Sequence, residues 1–287
     1  MHDTEALADR FEEHRGQLRA VAYRMLGSLT EADDAVQETW LRYSGADVSE
    51  VRNLGGWLTT VAGRVCLNML RSRAARREQP MEAYVPDPVV SELDHVDPER
   101  EALIGDSVGL ALLVVLDTLE PAERLAFVLH DMFAVPFDDI APIVERTSTA
   151  TRQLASRARR RVQNAAPAPE RDVTRQKEVL EAFLAASRGG DFEALVAVLH
   201  PDAVLRADEG TVSQLLRGAT RIAGQAMRFR QLGLDERLVR VNDGVGALAL
   251  VDGKPVSLLG VTIADGRITE MYIVADPDRL HRLGVLT

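Results

Sequence analysis

Apolar side chains recur at intervals of three and four residues through most of the first 77 positions, which is the spacing of an amphipathic helix. Three runs carry this pattern: Leu18, Val21, Ala22 and Leu26; Ala32, Ala35, Val36, Thr39 and Trp40; and Trp57, Leu58, Val61, Ala62, Val65 and Leu70. Breaks fall at 27–30, where Thr30 can cap the next helix, and at 44–56, which is rich in Gly, Asp, Asn and Ser. The pattern predicts three or four packed helices over 1–77.

The helical pattern stops over 78–106, where nine acidic residues are opposed by Arg100 alone and four prolines interrupt the chain. We predict an extended linker there. Helical periodicity then resumes and defines a second helical module over 107–165.

Within this module, residues 119–162 have the pattern of two short helices followed by an arginine-rich third, which is typical of a helix-turn-helix. Thr147 or Ser148 can cap the third helix. Ala150, Leu154 and Ala158 recur every four residues and are expected to face the core. The opposite face collects Thr149, Arg152, Gln153, Ser156, Arg157 and Arg160. Arg and Gln pair with base edges and phosphates, so this face is a candidate DNA reader, although an ordinary solvated helix would have a similar pattern.

After the Ala-Pro segment at 165–170, the pattern changes to that of an α+β domain over 166–287. Helices are expected at 172–188, 191–199 and 218–231. Strands are expected at 203–207, 239–241, 246–251, 255–264 and 268–275. Asn-Asp-Gly, Asp-Gly-Lys and Asp-Gly-Arg separate the last four strands and indicate hairpins.

The net charge of −10 argues at first against nucleic acid as a partner, but the acidic excess is local. Residues 1–165 hold 19 Arg and 27 acidic residues, and without 78–106 the balance becomes 18 against 18. A basic patch is therefore compatible with this composition.

Several classes of protein are disfavoured. No stretch approaches a membrane span, and the acidic amino terminus does not resemble a signal peptide, so we expect a cytoplasmic protein. The single Cys66 has apolar neighbours and is expected to be buried. No spacing of His, Cys and Asp indicates a metal, no glycine-rich loop indicates a phosphate site, and no cofactor is expected.

The order of these parts resembles bacterial sigma factors, and the absence of an intermediate domain resembles the extracytoplasmic-function (ECF) class. LGSLTEADDAVQETWLRY, 26–43, is similar to the region that binds core RNA polymerase, which implies that role for Asp33, Asp34, Gln37 and Glu38. GGWLTTVAGRVCLNMLRSRAARR, 55–77, is similar to the region that recognises and melts the minus-10 element, and 107–162 to the domain that reads the minus-35 element.

The melting region supplies further candidate contacts. Arg64, Arg71 and Arg73 are expected to contact DNA, the last two by holding phosphates. The loop at 46–56 is suited to receive a flipped base. Trp57 either covers the hydrophobic core, which we favour, or stacks on a base.

The tail, 172–287, resembles SnoaL-like polyketide cyclases, which implies a curved antiparallel sheet wrapped on helices around a conical pocket. Fused to the sigma-like modules, it resembles the ECF group that is regulated by its own carboxyl extension. YVPDP at 84–88, DPDRL at 276–280 and, in part, DEG at 208–210 resemble motifs of that group. The resemblance implies core polymerase and promoter DNA as partners, and the pocket adds a candidate small ligand; we expect a monomer that is not an enzyme.

Alternatives remain open at this point. His200, Asp202, Asp208 and Glu209 are candidates for general acid and base chemistry, which would make the chain a bifunctional cyclase-like or isomerase-like enzyme tethered to a DNA-binding module. A conventional dimeric repressor is a third hypothesis. The acidic linker either competes with DNA for the arginines or only keeps itself solvated.

Overall fold

The computed structural model describes residues 2–75, 83–93, 103, 108–165, 169–210, 212–229 and 234–285. The chain divides into two compact units. The helical unit comprises Met1–Gln79, Pro98–Gly105 and Val115–Ala165, and the sheet unit comprises Pro80–Asp97, Asp106–Val114 and Ala166–Thr287.

The helical unit opens with the three helices that the apolar pattern predicts, α1 (His2–Leu26), α2 (Leu29–Ser44) and α3 (Leu54–Ala75). The predicted cap at Thr30 is wrong, because α2 begins earlier and the Ser28 hydroxyl accepts the Glu31 amide at 3.5 Å. The Asn53 carboxamide accepts the Gly56 amide at 3.0 Å and so satisfies a free donor at the start of α3.

Aromatic rings fill the core between these helices. Phe11 lies 5.2 Å from Trp40 and 6.0 Å from Tyr43 between ring centroids, and Tyr43 lies 6.2 Å from Trp57. Leu18, Val36, Leu54, Leu58 and Ala62 complete the same cluster. Burial of these side chains on one face of each helix holds the three helices together.

The helix-turn-helix is present as predicted. Next come α4 (Leu110–Asp117), α5 (Pro121–Phe127), a π-helical turn (Val128–Met132), α6 (Phe137–Val144) and α7 (Ser148–Ala165). Glu145 ends α6 in the left-handed conformation, with φ of 57°, and so turns the chain into α7. The Thr147 hydroxyl, one of the two predicted caps, accepts the Ala150 amide at 3.2 Å.

The two predicted helical modules pack as one unit. A Cβ on Gly63 in α3 would lie 2.9 Å from Leu129 Cδ1 and 3.2 Å from Leu125 Cδ1, so the absence of a side chain permits close packing. Arg124 in α5 is 2% exposed. It donates two hydrogen bonds to the Arg24 carbonyl of α1, at 3.2 and 3.1 Å, and one to Asp117 at 3.2 Å.

Cys66 is fully buried in α3, and desolvation raises the pKa of its thiol from 9.0 to about 12. A folded pKa above the unfolded value means that this thiol's contribution to stability is complete below pH 9 and declines as the pH rises from there towards 12. We expect the stability advantage of the natural protein over Cys66→Ala to shrink by about 1 kcal/mol between pH 8 and pH 10. Urea unfolding of both proteins at the two pH values measures this, and an unchanged difference would contradict it.

The sheet unit contains three helices, α8 (Val173–Gly189), α9 (Phe192–Val198) and α10 (Ala219–Phe229), and a short α11 (Pro277–Arg282). Its strands are β1 (Val90–Glu92), β2 (Leu199–Asp208), β3 (Ser213–Arg217), β4 (Asp235–Val241), β5 (Gly244–Val251), β6 (Lys254–Ala264) and β7 (Arg267–Val274). The α+β prediction is therefore confirmed, while β1, β3 and α11 were not predicted.

The seven strands form one sheet in the order β1-β4-β5-β6-β7-β2-β3. The sheet is mostly antiparallel, as expected, and its one parallel pair among the described strands joins β2 to β7. The predicted hairpins are present. At the β5–β6 turn, Asp252 and Gly253 have φ of 50° and 75°, and at the β6–β7 turn Asp265 and Gly266 have φ of 51° and 71°. Asp and Gly tolerate this left-handed backbone, which explains the Asp-Gly signals.

The described part of the predicted linker, residues 83–93, belongs to the sheet unit and is not a free spacer. Its strand β1 pairs with β4. Asn242 accepts the Val89 amide at 3.0 Å and donates to the Val108 carbonyl at 2.9 Å. Arg279 donates to Asp87 at 2.8 Å and to Asp208 at 2.6 Å. The YVPDP and DPDRL segments are thereby joined by an ion pair. The rest of 78–106, apart from Leu103, lies outside the described residues.

Candidate polymerase-binding and DNA-binding surfaces

The outer face of α2 carries the four residues predicted to bind polymerase. Asp33, Asp34 and Gln37 are exposed and Glu38 is half-buried. Two of them already have partners: Arg19 Nε donates to Asp33 at 2.6 Å, and Arg42 Nε donates to Glu38 at 2.9 Å. Asp34 and Gln37 are thus the more available polar groups.

This face also contains an apolar residue that was not predicted to belong to it. Leu41 is 58% exposed, the largest value among the exposed large apolar side chains of the described residues. It lies four residues after Gln37 and seven after Asp34, so the three share one side of the helix. An apolar side chain with polar neighbours is typical of a protein-binding surface. The sequence did contain an indication of this residue, because Leu41 is a leucine that lies outside the buried positions of α2.

The exposed side of α3 brings together Arg64, Asn68 and Arg71 at spacings of four and three residues. Arg73 does not belong to this surface. It is half-buried, its Nε donates to Glu31 at 3.1 Å and its Nη1 reaches the Leu26 carbonyl at 3.4 Å. In this structure Arg73 joins α3 to the start of α2, and its role as a phosphate contact stays a prediction.

Trp57 is half-buried and packs against the aromatic core, which agrees with the reading that it covers the core. The loop before it is well defined: the Asp47 carboxylate accepts the Ser49 amide at 3.1 Å, and Arg52 and Asn53 are exposed. This part of the surface therefore offers polar groups beside the α3 arginines.

The buried stripe of α7 consists of Thr151, Ala155 and Ala158. The predicted stripe was out by about one residue, since Ala150 and Leu154 are only half-buried. Tight contact between helices favours small side chains, and Thr151 satisfies its hydroxyl by donating to the Thr147 carbonyl at 3.0 Å. A polar residue therefore occupies a core position that the apolar pattern alone does not reveal.

Opposite this stripe, Thr149, Gln153 and Arg160 are exposed and lie on one face at spacings of four and seven. No hydrogen bond or ion pair to another side chain occupies these three within the described part of the chain. Arg157 differs, because its Nε donates to the buried Glu123 at 2.7 Å. Arg152 is exposed but stands over the Phe137 ring at 5.3 Å, and Ser156 is half-buried.

The sheet unit contains a cavity of about 440 Å³ between the sheet and the helices α8 and α10. Of the four residues proposed for acid and base chemistry, Glu209 alone lines it. Asp208 is engaged by Arg279 at 2.6 Å, and His200 Nδ1 accepts the Asp202 amide at 3.2 Å within β2. The cavity does bring Glu209 together with a second carboxylate, Glu236 of β4, that sequence analysis did not identify.

Among the described residues, no group of three His, Cys, Asp or Glu side chains is arranged to hold a metal ion. In the same part of the chain, none of the helices is both long and apolar enough to cross a bilayer.

Two segments of the helical unit match known protein families. Residues 10–76 match the Sigma-70 region 2 family and residues 109–162 match the Sigma-70 region 4 family. The chain belongs to the ECF RNA polymerase sigma factors, which bind core RNA polymerase and promoter DNA and direct the initiation of transcription.

Within this family, the chain is similar to the ECF RNA polymerase sigma factor SigJ of Mycobacterium tuberculosis, with 36% identity covering 94% of this chain and 91% of the relative. The probable ECF RNA polymerase sigma factor SigI of the same species is 33% identical over 94% of this chain and 93% of its own length. The crystal structure of SigJ superposes with a TM-score of 0.75 at 34% identity, covering 95% of this chain and 98% of that one. The fold class, helical sigma modules followed by a SnoaL-like α+β domain, is therefore confirmed.

Proposed function

We propose that this sigma factor divides its work among three helix faces. The face of α2 with Asp34, Gln37 and Leu41 docks on core polymerase. The face of α3 with Arg64 and Arg71 holds the melted strand, and α7 reads the upstream element.

The α7 face carries this proposal. Thr149, Gln153 and Arg160 lie opposite the buried stripe and are not engaged by other side chains of the described residues. Arg pairs in a bidentate manner with guanine and Gln with adenine, so this face has the side chains that direct readout in a major groove requires. Arg157 and Arg152, held by Glu123 and by the Phe137 ring, are better placed to support the helix or to contact phosphates.

Polymerase binding is expected to depend on Leu41. Replacement of Leu41 by Glu places a charge at the centre of the docking face and should weaken binding to core polymerase by about tenfold or more. Val212→Glu is a matched control, because Val212 is a comparably exposed apolar residue, at 52% against 58% for Leu41, and lies in the sheet unit. Binding of labelled protein to purified core polymerase measures both, and equal affinities for the two variants would exclude this role.

We also propose that the sheet unit regulates the sigma modules. The described part of the connection between them, residues 83–93, is held on the sheet unit by the β1–β4 pairing, by Asn242 and by Arg279. This segment follows α3 along the chain, so its attachment to the sheet unit is a candidate route for such regulation. Removal of 166–287 is expected to change promoter-dependent transcription, and the same output from both lengths of chain would argue against regulation.

A catalytic role for the sheet unit is the second candidate function, because Glu209 and Glu236 both line the cavity. Three observations favour a binding role instead. Glu209 is exposed, Glu236 is already paired with Arg188, and the predicted residues His200, Asp202 and Asp208 do not line the cavity. We therefore propose that the cavity binds a small ligand and that the chain is not an enzyme. We also propose that the free sigma factor is a monomer.

A further inference from the structure

The cavity of the sheet unit owes its volume to small side chains at particular positions of the sheet. In β5, Ala247 and Ala249 face the helices, and the neighbouring strand contributes Ser257 and Leu259 to the same wall. Alternation along a strand places Leu248 and Leu250 on the other face. The space that leucines would fill in a solid core is thus left open beneath α8 and α10, and a cavity of about 440 Å³ lies within the range of small-molecule sites.

The charged side chains in the described wall of this cavity are all acidic. Most of it is apolar, including Phe183, Ile222 and Met271. Within the part of the chain that the structure describes, the ionisable side chains that line it are Glu209 and Glu236, and no Lys, Arg or His lines it. Among the described lining side chains, an anionic ligand would therefore meet two carboxylates and no cationic group.

Glu236 is the better placed of the two carboxylates. It is half-buried on β4, and desolvation raises its pKa while the Arg188 ion pair opposes this effect. Its Oε2 is paired with Arg188 Nη1, whereas its Oε1 accepts no hydrogen bond from the described residues. The Arg188 side chain is 58% exposed and does not line the cavity, so the carboxylate has its cationic partner on the outside and an open oxygen.

We propose that this cavity binds a monocationic small molecule, an amine joined to an apolar body, whose ammonium group forms an ion pair with Glu236. The apolar body occupies the space above Ala247 and Ala249. Gln225 and Ser187 at the helix side supply neutral hydrogen-bonding groups. A cation inside the cavity satisfies the open carboxylate oxygen, and a hydrogen bond between two charged groups is stronger than one between neutral groups.

Three probes with one aromatic body test this assignment: 1-naphthylmethylamine, 1-naphthylmethanol and 1-naphthoate. Their affinities for the full-length protein, without polymerase, are measured by calorimetry. We expect saturable binding of one amine per chain, about tenfold tighter than the alcohol, and weaker still for the carboxylate. No binding of the amine, or binding of the carboxylate as tight as that of the amine, overturns the proposal.

Variants locate the site. Glu236→Gln should weaken the amine by about tenfold and leave the alcohol unchanged, whereas Arg188→Gln should strengthen the amine, since it removes the competing cation. Glu193→Gln is the control, an exposed acid on α9 that does not line the cavity. Ala249→Met, which fills the cavity, should weaken all probes that bind. Amine binding that is insensitive to both Glu236→Gln and Ala249→Met contradicts this site. Because the assay contains no polymerase or DNA, its outcome is independent of the proposed sigma activity.

Discussion

Replacement of Gln153 and Arg160 together by alanine is expected to abolish promoter selection while leaving the fold and polymerase binding intact. Both side chains are exposed on the α7 face opposite Thr151, Ala155 and Ala158. Each good bidentate base contact contributes about 1–3 kcal/mol of discrimination, so the loss of two should reduce specific affinity by about 100-fold.

The measurement is binding of the reconstituted holoenzyme to a promoter selected from random sequences with the natural protein, against a scrambled duplex. Arg161→Ala is a control of matched charge, because Arg161 lies on another side of α7 and pairs with Glu123 at 3.4 Å. That variant should lose affinity equally for both duplexes, through the loss of a single positive charge. If the double variant still distinguishes the promoter as the natural protein does, α7 does not read the sequence through this face.

The second large effect is expected at Arg124, whose guanidinium lies inside the helical unit. Arg124→Met removes both hydrogen bonds to the Arg24 carbonyl and leaves Asp117 without its cation. Asp117 is 24% exposed, so the larger part of the loss comes from the buried Arg24 carbonyl, which loses two donors; together the two effects should cost about 3–4 kcal/mol. A loss at the lower end of that range corresponds to a fall in Tm of roughly 10 °C for a domain of this size.

Helical circular dichroism during urea unfolding measures this loss. Arg146→Met is the control, because Arg146 is exposed and, among the described residues, its side chain donates to the carbonyl of the adjacent Glu145 at 3.2 Å. Its effect should stay within about 0.5 kcal/mol. Equal stabilities of the two variants would contradict the structural role of Arg124.

Much of this architecture can be predicted from the sequence because it depends on local patterns. The amphipathic repeats of α1 to α3 give their positions, and the Asp-Gly pairs give the β5–β6 and β6–β7 turns, since the turn geometry requires residues that tolerate positive φ. The exposed face of α7 can also be predicted from residues that are close together in the sequence. A helical wheel places Gln153 and Arg160 together even when the buried stripe is misplaced by one residue.

The features that could not be predicted depend on residues that are distant in the chain. Arginine is usually exposed, so the sequence does not indicate that Arg124 is buried. Its burial depends on the hydrogen bond to the Arg24 carbonyl, 100 positions earlier in the chain. The pairing of β1 with β4 and the hydrogen bonds of Asn242 to residues 89 and 108 are equally non-local. The hydrogen bond from Arg73 to Glu31, which lies 42 residues earlier, could not be predicted either. The cavity was likewise predicted from the family resemblance alone. The presence of Glu236 in its wall could not be predicted, because it depends on how β4 pairs with β5.

This chain is expected to confer promoter recognition on a polymerase that cannot recognise promoters by itself. Run-off transcription with purified core RNA polymerase, on the selected promoter and on a scrambled template, tests this claim most directly. We expect a discrete transcript that requires the full chain, the core enzyme and the promoter together, and that disappears with the Gln153 and Arg160 double variant. A chain that binds the promoter tightly without polymerase, and yields no transcript when core enzyme is added, would contradict it.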